Sequence, residues 1–393
     1  MIISRKFHQY LCKTLLYRPW RAYRQRQQLQ RFNFLLDNYV RMDKVKEPYS
    51  EILTRDRLRL KHSQRRPFFG QDRKPAIVAF GAKDWEQYGL YPSFDRLCHF
   101  LLYEYVKEAM ETFSCRRIGP KMREDINRHF LDFIDNLDKR QNITCVFFYV
   151  AGFYISNWLL KELAKRGIWT VIMSLDDKHQ FNFNGKKGVS DQLRVASLCD
   201  LYWTTWKIGT HIVLSVGGTP WYAPEAADPN YHYPLDIEKD IDVLFIGQSY
   251  GLRADLIKYL LKRDINLTVF GAGWPNGFAS FEETIRLYNR AKIVLGIGGV
   301  GHTYEVKHLK GRDFEVPMCG ALYLTSYNHE LADFFEIGRE ILCYSSFEEC
   351  FETIQWILRR PDEAQQIRES AIKRALKDHT WERRLNRFFS LFP

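Results

Sequence analysis

Lys307-His-Leu-Lys310-Gly-Arg312-Asp-Phe-Glu315-Val-Pro-Met-Cys-Gly320-Ala-Leu-Tyr-Leu-Thr325 is the stretch from which the fold is read. It follows an apolar run, 293–297, and a glycine turn, so its basic side chains fall near the end of one strand. Glu315 then stands on a helix, Gly320 sits where that helix stops, and the next strand begins at Ala321. Strand, turn, helix and strand in this order build a parallel sheet covered by helices. Lys or Arg at a strand end suits a diphosphate, and a carboxylate there can accept two hydrogen bonds from neighbouring ribose hydroxyls. Taken alone, the same Arg and Glu read equally as a solvated helix face.

The pattern continues outward from this block. Strands are expected at 242–247, 267–271, 293–297, 321–325 and 340–344, with helices near 252–263, 281–291, 311–319, 328–335, 347–359 and 362–377. Upstream, strands near Ile77, Val146, Val171 and Tyr202 alternate with helices near 93–111, 122–139 and 154–166. Between the two runs, residues 217–234 hold four prolines and no period, and read as a linker. The fold class is therefore α/β, with two doubly wound Rossmann-like domains facing a cleft. Their expected extents are 71–235 and 236–380, with a closing helix over 381–393 that can return to the first domain. Ligands in such sheets bind beyond the carboxyl ends of the strands.

At 393 residues and 46% apolar content the chain can bury sizeable cores, which excludes disordered and fibrous classes. Its net charge of +11 is unevenly spread, because residues 1–70 hold 17 basic and five acidic side chains while the remainder is near neutral. A nucleic-acid surface over the whole body is thereby disfavoured. Within this basic arm Ile3, Phe7, Tyr10, Leu11 and Leu15 repeat at helical spacing up to Pro19, and Arg21, Arg24, Arg26 and Arg31 follow without an acid before Asp37. An amphipathic basic helix of this kind suits an anionic membrane surface, or alternatively packs its apolar stripe on the body. The charge-free run 141–160 contains Asn142, Thr144, Gly152, Ser156 and Asn157 and reads as a buried strand, a glycine turn and a helix rather than a membrane span. Eight cysteines without a Cys-x-x-Cys pair, and no signal peptide in the first 20 residues, point to reduced thiols in a cytoplasmic protein held peripherally at the membrane.

Residues 241–388 resemble the nucleotide-sugar-binding domain of GT-B glycosyltransferases, in particular the CgeB-like group related to family 4. The likeness is carried by Val243-Leu-Phe-Ile-Gly247-Gln-Ser-Tyr-Gly-Leu-Arg253, the Arg312-to-Ala321 block, Leu331-Ala-Asp-Phe-Phe-Glu-Ile-Gly338-Arg-Glu-Ile-Leu and His379-Thr-Trp-Glu-Arg-Arg-Leu, with Ala226-Ala-Asp-Pro229 in the linker. The resemblance implies that Glu315 binds the donor ribose and that Arg253, Lys310 and Arg312 meet its phosphates. It also places Gly247, Ser249, Gly298, Gly299 and His302 in the loops around the donor. One position departs from the family: the second Glu usual eight residues before Glu315 is Lys307 here, with Glu305 two residues away.

Gly296-Ile-Gly298-Gly-Val-Gly301 also fits the dinucleotide pattern Gly-x-Gly-x-x-Gly. That fingerprint belongs in the first strand–helix unit of a domain, whereas this run ends the third strand and meets His302-Thr-Tyr-Glu. In the first domain the strand ending at Leu175 runs into Asp176-Asp177, with His179 close by, three candidates for a base toward an acceptor hydroxyl. Helix capping and loop support are their bland alternatives. No metal is expected, since His302 and His308 lack ligand spacing and helix N-termini with basic residues can neutralise a diphosphate leaving group.

The combined expectation is a glycosyltransferase moving a sugar from a nucleotide diphosphate sugar to a hydroxyl of a glycan or lipid-linked acceptor, in surface polysaccharide synthesis. Its partners are that donor, that acceptor and an anionic membrane surface met by the arm, with no nucleic acid and no cofactor. A catalytically silent scaffold of a polysaccharide assembly and a nicotinamide-dependent oxidoreductase are the alternatives.

Overall fold

The computed structural model describes residues 17–37, 48–113, 118–175, 177–181, 191–299 and 303–393. Two compact units emerge, one containing residues 48–228 together with 381–393 and the other containing 229–380.

The first unit is built on six parallel strands, β1 (Ala76–Gly81), β2 (His99–Glu104), β3 (Cys145–Phe148), β4 (Trp169–Ser174), β5 (Leu201–Thr204) and β6 (Pro220–Tyr222). Their order across the sheet is β2-β1-β3-β4-β5-β6. Every residue of β1, β3, β4 and β5 is buried, as expected where helices cover both faces of a parallel sheet and the strands read as continuous apolar runs. β2 does not follow that pattern. Its first four side chains alternate between exposed and partly covered before the buried Tyr103, and it replaces the middle of the single helix expected over 93–111 by a helix (Leu90–Leu97), a strand and a helix (Tyr105–Glu111). Phe100 and Leu102 pack on the core from one face of this edge strand, a half-buried pattern that a helical period mimics over so short a run. β6 likewise lies inside the expected linker. Its proline opens an edge strand, where a missing N–H costs no ladder bond, and Trp221 is wholly buried with its indole donating to Glu51 Oε1 at 2.9 Å.

The run 141–160 contains β3, a short turn of 3-10 helix at Gly152–Tyr154 and the start of the Asn157–Lys165 helix. Among the described residues no helix is long and apolar enough to cross a membrane.

Residues 1–16, on which the amphipathic pattern from Ile3 to Leu15 falls, lie outside the described residues. A helix spans Tyr17–Leu35 and carries Pro19 in its first turn, where proline removes no helical hydrogen bond. Further on, the basic segment is no free arm. The Glu51–His62 helix, capped by Ser50, buries Leu58, and Phe68 stacks on Phe392 with ring centroids 3.8 Å apart. Arg65 makes a two-pronged bond to the buried Asp200, at 3.0 and 2.9 Å. The charge count had placed 1–70 together, but charge does not report that Leu58 and Phe68 belong to the core. A chain beginning at residue 48 is therefore expected to keep the wild-type melting temperature of the first unit. One beginning at Arg73 exposes the sites of Leu58 and Phe68 and strands Asp200, and costs about 3–5 kcal/mol for the broken pair alone. Circular-dichroism melting of the two truncations measures this, and equal melting curves would return residues 48–72 to a dispensable arm.

The Trp381–Phe389 helix closes the first unit. Trp381, Leu385, Phe388 and Phe389 are buried in the same core as β1, β3, β4 and β5, and the Trp381 N–H donates to Ala227 O at 3.0 Å.

The second unit carries five parallel strands, β7 (Ile241–Ile246), β8 (Leu267–Phe270), β9 (Ala291–Leu295), β10 (Tyr323–Ser326) and β11 (Leu342–Tyr344), ordered β11-β10-β9-β7-β8. Counted within its own unit, each sheet starts with its second strand at one side of the first and its third strand at the other. The chain thus reverses direction between β1 and β3, and again between β7 and β9, and loops leaving such neighbours diverge to open a ligand crevice. One helix expected here, over 328–335, is only the 3-10 turn His329–Asp333, started by the Asn328 side chain.

Candidate functional site

In the second unit the loops leaving β7 and β9 bring together most of the side chains singled out from sequence. Gly247 follows β7 directly and donates its N–H to Phe270 O at 2.8 Å, while its own carbonyl accepts from the Trp274 indole at 2.7 Å. Only glycine serves at Gly271, which has φ of +124° and where an added Cβ would lie 2.3 Å from Gly247 O. Ser249 is held by its N–H to Ala272 O, and the Leu252–Leu261 helix then starts at Gly251. The start of this helix lies at the carboxyl end of β7, a position that favours anions, with the Arg253 N–H already donating to Tyr250 O at 3.3 Å.

Two guanidinium groups converge on Gly247. A Cβ at that position would sit 3.3 Å from Arg253 Nη1 and 3.3 Å from Arg312 Nη2. Arg312 donates from Nη1 to Ile246 O at 2.7 Å and lies against the Phe245 ring, and Arg253 lies over Tyr250. Among the described residues no carboxylate pairs with either. Burial first, and the neighbouring Arg312 charge second, push the Arg253 pKa down to about 10. Burial opposes the Arg312 charge, yet Tyr288, Tyr323, Glu315 and Asp313 raise its pKa on balance; two like charges this close still form a place at which an anion is favoured.

The Arg312–Met318 helix is fixed at its start by Asp313, which accepts from the Lys310 N–H at 2.8 Å and from the Tyr323 hydroxyl at 2.7 Å. Burial lifts the Asp313 pKa to about 6, against the lowering effect of those bonds. Glu315, one turn on from Arg312, is partly exposed, and its Oε1 lies 4.0 Å from Nε2 of the buried His232. Nδ1 of His232 is buried without a partner among the described residues. Lys310 is half-buried in the same segment.

Among the described residues between β9 and Arg312, none is helical. Gly298 donates to Ser326 Oγ at 2.8 Å and accepts from the His308 N–H at 2.9 Å, and Gly299 bridges to Lys307. Residues 296–299, the described part of the glycine run, are not helical, unlike the start of a dinucleotide fingerprint. Gly296 is forced by close approach, since a Cβ there would come within 2.2 Å of the Tyr323 hydroxyl. Lys307, which stands in place of the family's Glu, donates from Nζ to Tyr327 O. His302 lies outside the described residues.

Of the first-unit candidates, Asp176 and the side chain of His179 also lie outside the described residues. Asp177 is wholly buried; its Oδ1 accepts from the Tyr202 hydroxyl at 2.7 Å, and its Oδ2 from the Thr204 hydroxyl. Both oxygens of Asp177 therefore hold the ends of β4 and β5 together. Among the described residues no group of three or more His, Cys, Asp or Glu side chains is placed to hold a metal ion.

Sequence reading missed His232, Tyr323, Trp274 and Asp313, which hold or border these loops without displaying a motif. It also missed Glu86 in the first unit, where no spacing rule singles out an acid in Lys83-Asp-Trp-Glu-Gln.

Residues 253–390 match the family model described as Glycosyl transferase-like. No curated protein matches the chain by sequence. Among solved structures, sucrose-phosphate synthase from Thermosynechococcus elongatus is similar at 11% identity and a TM-score of 0.58, covering 80% of this chain and 98% of its own. A glycosyltransferase from Rickettsia africae is similar at 10% identity and a TM-score of 0.57, covering 80% and 97%. HepE of Anabaena, solved with UDP, is similar at 11% identity and a TM-score of 0.53, covering 80% and 99%. The architecture is that of GT-B glycosyltransferases, with a glycosyl transferase-like domain over its C-terminal third. The match does not single out the CgeB-like group.

Proposed function

On a GT-B-type chain whose residues 253–390 form a glycosyl transferase-like domain, we propose glycosyl transfer from a nucleotide diphosphate sugar to a hydroxyl acceptor. The observation that carries this reading is the convergence of two guanidiniums, Arg253 and Arg312, on Gly247 between the loops of β7 and β9. A donor diphosphate offsets the repulsion of the pair, and Glu315 on the adjacent helix turn accepts the ribose hydroxyls. The solved complex of HepE with UDP-glucose supports a uridine donor as the first to test.

As the carbon–oxygen bond to the sugar breaks, charge builds on the diphosphate, and fixed cations at that point stabilise the transition state more than the ground state. The Gly247 and Gly298 loops are held by backbone bonds and therefore need little reorganisation. Asp177 braces the strands of the first unit in this reading. The acceptor is a glycan or lipid-linked hydroxyl in polysaccharide synthesis, with eight basic residues in 1–31 drawing the chain to an anionic membrane surface.

Calorimetric titration with UDP tests the donor site. Glu315→Ala removes charge-assisted bonds of about 1.5–3 kcal/mol, so affinity is expected to fall roughly 10- to 150-fold while the fold stays intact. Unchanged affinity in that variant would remove Glu315 from the donor site, and the absence of heat with UDP, GDP and ADP in the wild type would remove the donor site itself.

A further inference from the structure

His232 stands near the start of the second unit, in the segment that leads to β7. That segment is fastened to the Phe281–Arg290 helix of the same unit. The side chain of buried Asn289 accepts from the Leu235 N–H at 2.7 Å and donates to Tyr233 O at 3.1 Å, and Lys239 Nζ donates to Asn289 O at 2.7 Å. Pro234 lies against Gly320, where an added Cβ would come 3.4 Å from it. The His232 ring meets Phe281 edge to face, with centroids 5.4 Å apart. His232 is thus 5% exposed and held in place from within its own unit.

Its polar atoms are poorly matched to that setting. Nδ1 is buried without a hydrogen-bond partner among the described residues, and Nε2 has Glu315 Oε1 at 4.0 Å, beyond hydrogen-bond reach. The Glu315 carboxylate accepts no hydrogen bond among the described residues either, although its charge acts on Tyr288, whose pKa is pushed up by burial first and by Glu315 second. Phenylalanine would fill the space of the His232 ring and leave no orphaned nitrogen, so packing alone does not account for a histidine here. What the histidine adds is an N–H donor at Nε2, beside the residue read as the ribose ligand.

We infer that His232 is a positioning residue for the donor site: its Nε2–H closes on Glu315 Oε1 when the ribose hydroxyls engage that carboxylate, and fixes the orientation in which Glu315 accepts them. This rests on the glycosyl-transfer reading above. A movement of about 1 Å takes the pair from 4.0 Å to an ordinary N–H···O distance, and bonds of this kind commonly tighten only when the ligand is present. Each carboxylate oxygen has more than one acceptor site, so Oε1 can hold His232 and a ribose hydroxyl together. A glutamate anchored on the protein side loses less side-chain freedom on binding, which strengthens its grip on the ligand.

The test titrates UDP and 2′,3′-dideoxy-UDP into the full chain and its variants by calorimetry, beside thermal melting. His232→Phe is expected to melt no lower than wild type, since the ring volume stays and the orphaned nitrogen goes, yet to bind UDP about 10-fold more weakly. Its affinity for the dideoxy nucleotide, which offers Glu315 no ribose hydroxyl, should match that of wild type. In a Glu315→Ala background the same substitution should change UDP affinity by less than about 2-fold, because the group it acts through is gone. His232→Gln places an amide nitrogen near the Nε2 position and should recover most of the loss, whereas the shorter His232→Asn should not. That second pair carries the test if His232→Phe does not fold. Wild-type UDP affinity in both His232→Phe and His232→Asn, an equal loss for the two nucleotides, or a loss that persists in Glu315→Ala would overturn the positioning role and leave the donor site standing. Absence of UDP binding in the wild type, or unchanged binding in Glu315→Ala, would instead overturn the reading on which it rests.

Discussion

Arg312→Ala should weaken nucleotide diphosphate binding by on the order of 10²-fold or more, the largest functional loss expected from one side chain of the second unit. Each charge-assisted hydrogen bond to a phosphate oxygen carries about 1.5–3 kcal/mol, and a guanidinium can make two at once. Arg312 also spends one N–H on Ile246 O, which aims its remaining donors at the Gly247 loop. Lysine in its place keeps the charge but cannot hold that carbonyl and reach a phosphate together, so Arg312→Lys should recover only part of the affinity. Removing Arg312 relieves its neighbour as well, and the Arg253 pKa should move back up from about 10. Titration of UDP into both variants at two salt concentrations checks this, with the salt dependence expected to shrink alongside the affinity. Wild-type affinity in Arg312→Ala would show that the convergence of the two guanidiniums serves no ligand.

Trp381→Ala should be the most destabilising single change in the first unit. Trp381 is 1% exposed, neighbours Trp85 and Trp203 with ring centroids at 6.0 and 6.4 Å, and fills the space that Gly89 leaves open. Truncating such a side chain costs about 3–5 kcal/mol, which for a unit of this size lowers the melting temperature by on the order of 10 °C. Thermal melting followed by near-ultraviolet circular dichroism reads the change directly. A shift below about 2 °C would mean that the closing helix is an appendage rather than part of the core.

Much of this molecule was legible in one dimension. β1, β3, β4, β5, β7 and β9 announce themselves because a strand covered on both faces must be apolar at nearly every position, whatever packs on it. The loop glycines and the Arg312-to-Gly320 block were equally plain, since a strand end, a helix start and a helix stop are local events set by residues a few positions apart. Edge elements were not: β2 is half covered over most of its length and β6 is only three residues long and opens on a proline, so both are hard to tell from helices and linkers.

The placement of charge was decided by the tertiary structure alone. Nothing near Arg65 in the chain shows that it meets Asp200, and nothing near Gly247 shows that Arg312 arrives beside Arg253. Asp177 was singled out by its strand-end position, and what surrounds it, the hydroxyls of Tyr202 and Thr204, comes from the next strand. Glu86 was passed over because its neighbours in sequence are ordinary, and its burial is a property of the folded chain alone. Secondary structure follows from steric and hydrogen-bonding preferences that act over a few residues. The energy of a charge depends on every dipole and ion within several ångströms, and only the folded chain brings those together.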